Sequence, residues 1–223
     1  MLKKCATLAW IFVIAAATLQ GACGYPTSCS IIPTADILQT GSVRFEFEND
    51  GLAKVGESGS IYYGFTQIGL TPRVEFGIDR YDVSGEPQDN FNAKFLLVSE
   101  SPKAPALAVG IMDVADGSKA SYYGIATRTF GRFRLHAGYI HAEYANGAML
   151  GAEQQVAKGT YLLEDWTEGS GNYLSLGIYR ELNKNWGVTL LHGWANGSGA
   201  EDLTAINLSY TIPLWKPAGA STE

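Results

Sequence analysis

The stretch Arg132-Phe133-Arg134-Leu135-His136-Ala137-Gly138-Tyr139 alternates strictly between two kinds of side chain. Its odd-numbered positions carry Phe, Leu, Ala and Tyr, whereas its even-numbered positions carry Arg, Arg, His and Gly. Successive side chains of a β-strand point to opposite faces of the sheet. The stretch is therefore predicted to form a strand with one apolar face and one charged or small face.

The same alternation recurs along most of the chain. From about Ser42 to Trp215, roughly ten alternating residues are followed by a break rich in Gly, Asn, Asp, Ser or Pro, and this unit repeats about twelve times. In five further strands we assign these residues to the apolar face: Val43, Phe45 and Phe47; Ile61, Tyr63 and Phe65; Val74, Phe76 and Ile78; Leu174, Leu176 and Ile178; Ile206, Leu208 and Tyr210.

Glycine helps to decide between two architectures that share this alternation. A soluble sandwich turns its polar face to water, whereas a membrane barrel turns its polar and small residues into the lumen. Mid-strand glycine weakens a solvated strand, but in a narrow lumen it makes room for large neighbours. The predicted polar faces carry such glycines, which favours the membrane barrel: Gly64, Gly77, Gly110, Gly124, Gly138, Gly151 and Gly177.

The breaks between strands alternate in length. The longer polar breaks are 49–58, 84–90, 115–118, 144–147, 167–171 and 195–202. The shorter breaks are 71–72, 101–103, 131, 157–159 and 182–185. Long external loops and short periplasmic turns are typical of outer-membrane barrels. We therefore predict an all-β fold, an antiparallel up-and-down transmembrane β-barrel over residues 41–215 with about twelve strands, or ten if a weak pair fails.

The N-terminus has the pattern of an export signal. A positive start at Lys3 and Lys4 is followed by an uncharged, mostly apolar run over 6–19, which is too short to span a membrane. We predict a signal peptide over 1–22, with cleavage after Ala22 or Gly24; a lipoprotein signal acylated at Cys23 is the alternative. A periplasmic lead segment is expected over 25–40, and a C-terminal tail over 216–223.

Two stretches resemble known outer-membrane proteins. Ser209-Tyr210-Thr211-Ile212-Pro213-Leu214-Trp215 resembles the last strand of Gram-negative barrels, which the barrel-insertion machinery engages. The stretch from Ile32 to Gly41 resembles the segment that precedes the first strand in YjbH-like proteins, which are associated with exopolysaccharide production. These resemblances imply an outer-membrane location, contact with outer-membrane lipid and lipopolysaccharide, and a role in polysaccharide or envelope maintenance.

The charges on the polar faces are the candidate functional residues. We predict that they line the lumen: Arg44, Glu46, Arg73, Glu75, Asp79, Lys94, Arg128, Arg132, Arg134, His136, Glu153 and Glu164. Interlocked acids and bases would seal a narrow barrel, whereas separated walls of charge would form a selective pore. We favour a non-enzymatic barrel with a narrow or plugged lumen, and a channel for small polar or charged solutes is the first alternative.

A lipid-modifying enzyme is the second alternative. Its chemistry requires a nucleophilic serine beside a histidine base, and no serine neighbours His136, His141 or His192 on the same predicted strand face. We therefore predict no catalytic residues. Without Lys3 and Lys4 the chain has 14 basic and 22 acidic residues, which argues against a nucleic-acid partner. No phosphate-binding loop, dinucleotide motif or metal-ligand pattern occurs, so no cofactor and no metal are expected.

Overall fold

The computed structural model describes residues 28–50, 61–83, 86–115, 120–142, 146–198 and 201–215. The predicted signal peptide and C-terminal tail lie outside the described residues. Within this part of the chain no helix is long and apolar enough to cross a membrane. The twelve strands, numbered β1 to β12, are Ser42–Asp50, Ile61–Thr71, Val74–Val83, Glu86–Val98, Ala106–Val114, Ser121–Phe130, Phe133–His141, Gly147–Ala157, Thr160–Thr167, Tyr173–Glu181, Trp186–Ala195 and Leu203–Pro213.

The strands form one closed barrel in which every strand pairs with its neighbour in sequence. The barrel closes where β1 pairs antiparallel with β12, from Ser42 opposite Pro213 to Asp50 opposite Ala205. Closure leaves no unpaired sheet edge, which a spanning sheet requires because lipid offers no hydrogen bonds. The prediction of an antiparallel up-and-down barrel is confirmed, with twelve strands rather than ten.

Strand β7 has the predicted orientation. Arg134 and His136 are buried inside the barrel, whereas Leu135 and Tyr139 are exposed on its outer surface. Aromatic residues mark both ends of the outer face, because β6 carries exposed Tyr122 and Phe130, and β11 carries Trp186 and Trp194. In each pair the two aromatics are eight residues apart, which is about 26 Å along a strand.

Strand β2 is oriented opposite to the prediction. Tyr63 and Phe65 point into the barrel, where their rings stack with centroids 5.8 Å apart. Gly64 pairs with the outward-facing Phe47 and therefore lies on the outer face. Gly124 of β6 also lies on the outer face, opposite exposed Val109. Both faces of β2 carry aromatic residues, so its alternation does not determine which face is inside, and the register with β1 does.

One predicted break is much shorter in the structure. Residues 84–90 were expected to form a loop, but β4 begins at Glu86 and only residues 84–85 separate it from β3. The ladder continues past the polar residues, with Asp79 opposite Asn90 and Val83 opposite Glu86. Polar composition alone therefore predicted a loop where cross-strand pairing extends the sheet.

Replacing Leu135 with Arg tests the assignment of the outer face. Leu135 is the third residue of β7, lies on the outer face and is 45% exposed, so in a bilayer an arginine there would face lipid. We expect the free energy of unfolding from lipid vesicles to fall by about 2 kcal/mol, the lower end of the range for the bilayer midplane. Leu182→Arg, in the exposed turn after β10, is the control, and about 0–1 kcal/mol is expected there. Equal losses at the two positions would contradict the assignment.

Candidate functional site

The segment that precedes β1 lies inside the barrel. We call residues 28–40 the plug. Its residues Cys29, Ile32, Thr34, Ala35 and Leu38 are buried, and Ile32 packs within the main hydrophobic cluster of the barrel. The sequence predicted a periplasmic lead over 25–40, but the described part of that segment fills the lumen instead. It lies there because groups of the barrel wall satisfy its backbone.

Asp165 of β9 holds the N-terminal part of the plug. Its Oδ2 accepts hydrogen bonds from the backbone N–H groups of Ser30, Ile31 and Ile32, at 2.8, 2.7 and 3.2 Å. Its Oδ1 accepts a short hydrogen bond from the Ser175 hydroxyl on β10. Buried N–H groups are costly to leave unpaired, and hydrogen bonds to a charged acceptor are the stronger kind. Asp165 therefore acts as an anchor for three consecutive plug residues.

Arg134 of β7 joins the middle of the plug to the wall. Its Nη2 lies 2.7 Å from both carboxylate oxygens of Asp36, and its Nη1 lies 3.0 Å from Glu153 Oε2 on β8. One guanidinium thus pairs with a plug carboxylate and a wall carboxylate. Such pairs are retained in a buried site only when their hydrogen bonds are well formed, as they are here.

Two further side chains of the wall accept hydrogen bonds from the plug. The Ala35 N–H donates to Thr127 Oγ1 at 2.9 Å, and the Leu38 N–H donates to Glu75 Oε2 at 2.7 Å. Glu75 also lies 3.6 Å from Lys94 Nζ. Together with the Asp165 and Arg134 contacts, these bonds attach the plug to strands β3, β6, β7 and β9. The plug is therefore fixed on several sides of the lumen.

Glycine makes room for the plug at particular points of the wall. A Cβ atom added at Gly151 would lie 2.8 Å from Ile32 Cδ1, and one added at Gly69 would meet the backbone carbonyl oxygen atoms of Leu38 and Gln39. A Cβ at Gly177 would lie 3.3 Å from Ser30 Oγ. These inward glycines allow the wall and the plug backbone to approach closely.

A cavity of about 380 Å³ lies on the loop side of the plug. Its described lining includes five acidic residues and two basic ones: Glu46, Glu48, Asp50, Glu75, Asp79, Arg44 and Lys94. The Arg44 Nε lies 2.5 Å from Glu46 Oε1, so both bases are engaged by acids of the same cavity. Asp79 is buried, and within the part of the chain that the structure describes its Oδ1 has no hydrogen-bond partner. The described lining of the cavity therefore has three more acidic than basic side chains.

Eight of the twelve charged residues predicted to line the lumen lie on its wall. They are Arg44, Glu46, Glu75, Asp79, Lys94, Arg134, His136 and Glu153. A ninth, Arg132, is half-buried in the turn between β6 and β7, on the same face as Arg134. The other three are placed elsewhere: Arg73, Arg128 and Glu164.

Arg73, Arg128 and Glu164 do not face the lumen. Arg73 is exposed in the turn after β2 and donates to the Leu97 carbonyl at 3.0 Å. Arg128 lies on the outward side of β6 and donates to carbonyls of the turn that precedes β5, including Ala104 at 2.8 Å. Both arginines therefore bind backbone carbonyl groups, Arg73 those at the end of β4 and Arg128 those of a turn. Glu164 pairs across the sheet with outward-facing Leu176 and therefore lies on the outer face. The next residue of β9, Asp165, is the acid that faces inward.

The main residues that the sequence did not single out are Asp165 and the plug acid Asp36. Asp165 directly follows Glu164, so only one of the two acids can face inward on a strand. The buried neighbours Tyr161 and Leu163 share the odd-numbered face with Asp165. The lumen of a membrane barrel is usually lined by polar or small side chains, but the inward face of β9 carries large apolar ones. These apolar residues pack around the plug.

The histidines differ in their surroundings. His136 is buried, with Nδ1 2.9 Å from Thr127 Oγ1 and Nε2 3.4 Å from Glu153 Oε1. His192 lies on the outward side of β11, with Nδ1 2.7 Å from Thr204 Oγ1, and His141 is exposed at the end of β7. A hydroxyl, an imidazole and a carboxylate in series can perform acyl transfer. Here Thr127 is fully buried and accepts a hydrogen bond from the plug, so the arrangement offers no surface to a substrate.

Cys29 lies beside this group. Its Sγ is 3.7 Å from the Ala152 carbonyl oxygen and 3.8 Å from that of Glu164. Burial, followed by the negative charges of Asp165 and Glu153, raises the pKa of the Cys29 thiol well above its usual value. A raised pKa lowers the fraction of the thiol that is in the nucleophilic thiolate form.

Comparison with known proteins identifies similar folds only. No protein family model and no curated protein sequence match the chain. The KdgM porin has a TM-score of 0.54 and 10% identity, over 77% of this chain and 99% of that one. The KdgM porin in complex with disordered oligogalacturonate has a TM-score of 0.52 and 9% identity, over 77% and 98%. At these identities the likeness shows a shared barrel fold.

Proposed function

We propose that this protein is an outer-membrane barrel that is closed by its own N-terminal segment and that conducts small cations when the plug leaves. The observation that carries the proposal is the plug itself, whose backbone N–H groups are bound by Asp165, Thr127 and Glu75 of the wall. The outer-membrane location is supported by the exposed apolar face and by the aromatic residues at both of its ends.

The preference for cations follows from the charge of the cavity. Among its described lining residues acidic side chains outnumber basic ones by three, and carboxyl oxygen atoms are ligands that small cations prefer. A charged cleft of this kind concentrates ions of the opposite sign. The aromatic rings of Tyr63, Phe65 and Tyr123 in the same lining add faces that attract cations. Small inorganic or organic cations are therefore the solutes that this lumen favours.

Acidic sugars fit this cavity poorly. Oligogalacturonate, present in the complex with the KdgM porin, carries a carboxylate on each sugar, and the acidic cavity of this chain would repel it. The link to exopolysaccharide suggested by residues 32–41 stays a prediction. In this structure those residues are part of the plug or follow it directly, so they close the lumen rather than mark a path for a polymer.

Conductance in planar bilayers tests the proposal. Ile32 and Ala35 belong to the buried apolar cluster, so the double variant Ile32→Asp/Ala35→Asp places two carboxylates there, one of them on the residue bound by Asp165, and expels the plug. We expect the parent to be silent, and the double variant to conduct stepwise with a reversal potential that favours cations. Ile31→Asp is the matched control, because Ile31 is 42% exposed, and it is expected to remain silent.

Each component of the proposal has its own contrary result. A parent that conducts as steadily as the double variant would show that the plug does not close the lumen. Anion preference in the double variant would contradict the proposed solute class. Adding Asp79→Asn to the double variant is expected to weaken the preference for cations, since Asp79 lines the cavity.

A further inference from the structure

Three potential metal ligands meet between the plug and the wall. Cys29 of the plug, His136 of β7 and Glu153 of β8 each offer one ligand atom, and these atoms all lie within 4.8 Å of one another. All three residues are buried, with exposures of 4%, 2% and 2%. Thiolate, imidazole and carboxylate are the ligand types that bind Zn²⁺ in proteins.

The spacing of two of these atoms fits a shared metal ion better than a hydrogen bond. His136 Nε2 and Glu153 Oε1 are both buried and lie 3.4 Å apart, at the distance of an ion pair, and neither atom has a hydrogen-bond partner among the described residues. Two ligands about 2.0–2.1 Å from a tetrahedral Zn²⁺ are separated by about 3.3 Å. A buried pair of unsatisfied polar atoms at this separation requires an explanation, and a cation between them supplies one.

The remaining atoms of the same side chains are already engaged. His136 Nδ1 lies 2.9 Å from Thr127 Oγ1, which fixes the ring with Nε2 directed towards Glu153. Glu153 Oε2 accepts from Arg134 Nη1 at 3.0 Å, so Oε1 is the carboxylate oxygen that faces His136 Nε2. Hydrogen bonds of this kind orient the ligands of known metal sites. The free atoms therefore face one another because their neighbours hold them in place.

The charge around the cluster also favours a cation. Glu153 and the plug acid Asp36 both pair with Arg134, and the buried acid Asp165 binds Ser30, which directly follows Cys29. Uncompensated buried negative charge is costly, and a divalent cation offsets it.

We propose that Cys29, His136 and Glu153 bind one Zn²⁺ ion and thereby fasten the plug to strands β7 and β8. The fourth ligand would be water from the cavity, which Cys29 also lines. The site requires the plug to lie in the lumen, but it does not require the barrel to be a channel. Metal content and conductance therefore distinguish a failure of this proposal from a failure of the proposed function.

Metal binding to the folded full-length protein tests the site. We expect protein refolded with Zn²⁺ and then desalted to retain about one ion per chain. With Co²⁺ as the probe, a thiolate-to-metal absorption band and the visible bands of tetrahedral Co²⁺ are expected. Cys29→Ser is expected to abolish the thiolate band, and Glu153→Gln to lower the metal content at least tenfold.

Two control variants separate this site from adventitious binding. His192→Ala removes a histidine that faces outward and contacts Thr204, and Cys23→Ser removes a cysteine outside the described residues. Both are expected to retain metal at the level of the parent. Equal metal content in the parent and in Cys29→Ser, including none in either, would overturn the site. A Co²⁺ complex of the parent without a thiolate band would also overturn it.

Discussion

Replacing Arg134 with Gln is expected to lower the free energy of unfolding by about 3–5 kcal/mol, because it leaves buried carboxylates without their cation. Arg134 is 6% exposed and pairs with both Asp36 and Glu153. Glu153 lies in the wall, so its carboxylate cannot leave the buried site when it loses its contact with Arg134. The measurement is the urea midpoint of the barrel in vesicles, followed by tryptophan fluorescence.

Arg73→Gln is the matched control for this prediction. Arg73 donates to carbonyls at the end of β4 but is exposed, so water replaces those bonds, and a change within about 0.5 kcal/mol is expected. The Arg134 variant is also expected to conduct, since Asp36 loses its partner on the wall. A stable, silent Arg134→Gln protein would contradict the role assigned to this arginine.

Replacing Asp165 with Ala is expected to free the N-terminal part of the plug. Three backbone N–H groups then lose a charged acceptor, and each such bond is worth about 1.5–3 kcal/mol. Amide hydrogen exchange over residues 28–32 is expected to accelerate at least ~100-fold. The acceleration has an upper limit, because amide exchange cannot become faster than in a plug that has left the lumen completely.

Asp165→Asn is the informative companion variant. Its amide oxygen can still face the three N–H groups while its amide nitrogen faces the Ser175 hydroxyl, so the geometry is largely retained. We expect exchange over 28–32 to accelerate less than ~10-fold in this variant. Similar acceleration in the Asn and Ala variants would show that charge, rather than hydrogen bonding, holds the plug. No acceleration in the Ala variant would contradict the anchor.

The barrel itself could be predicted from sequence because its alternation is long and repeated. One apolar face over many strands specifies an antiparallel sheet, and a shift of one residue would turn every side chain to the wrong face. The prediction failed where both faces carry aromatic residues, as in β2, which has Tyr63 and Phe65 on its inward face and Tyr62 on its outward face. In such cases the pairing register with the neighbouring strand determines which face points into the barrel. This register cannot be read from the sequence of one strand alone.

The plug could not be predicted because it has no periodic pattern. Its backbone N–H groups donate hydrogen bonds to residues of the wall that are far away in sequence, from Glu75 to Asp165. Its buried residues Ile32, Ala35 and Leu38 are three positions apart, a spacing that carries no strand signal. The inward face of β9 gave the available clue, since apolar Tyr161 and Leu163 would be out of place in a water-filled lumen.

Amide hydrogen exchange of the plug in the folded parent protein tests the central claim most directly. If residues 28–40 fill the lumen, the amides of Ser30, Ile31, Ile32, Ala35 and Leu38 exchange as slowly as those of strand β7. If the segment instead hangs free in the periplasm, the same amides exchange at the rate of an unstructured peptide while β7 stays protected. The first result is the one that we predict, and the second would contradict closure of the barrel by its own N-terminal segment.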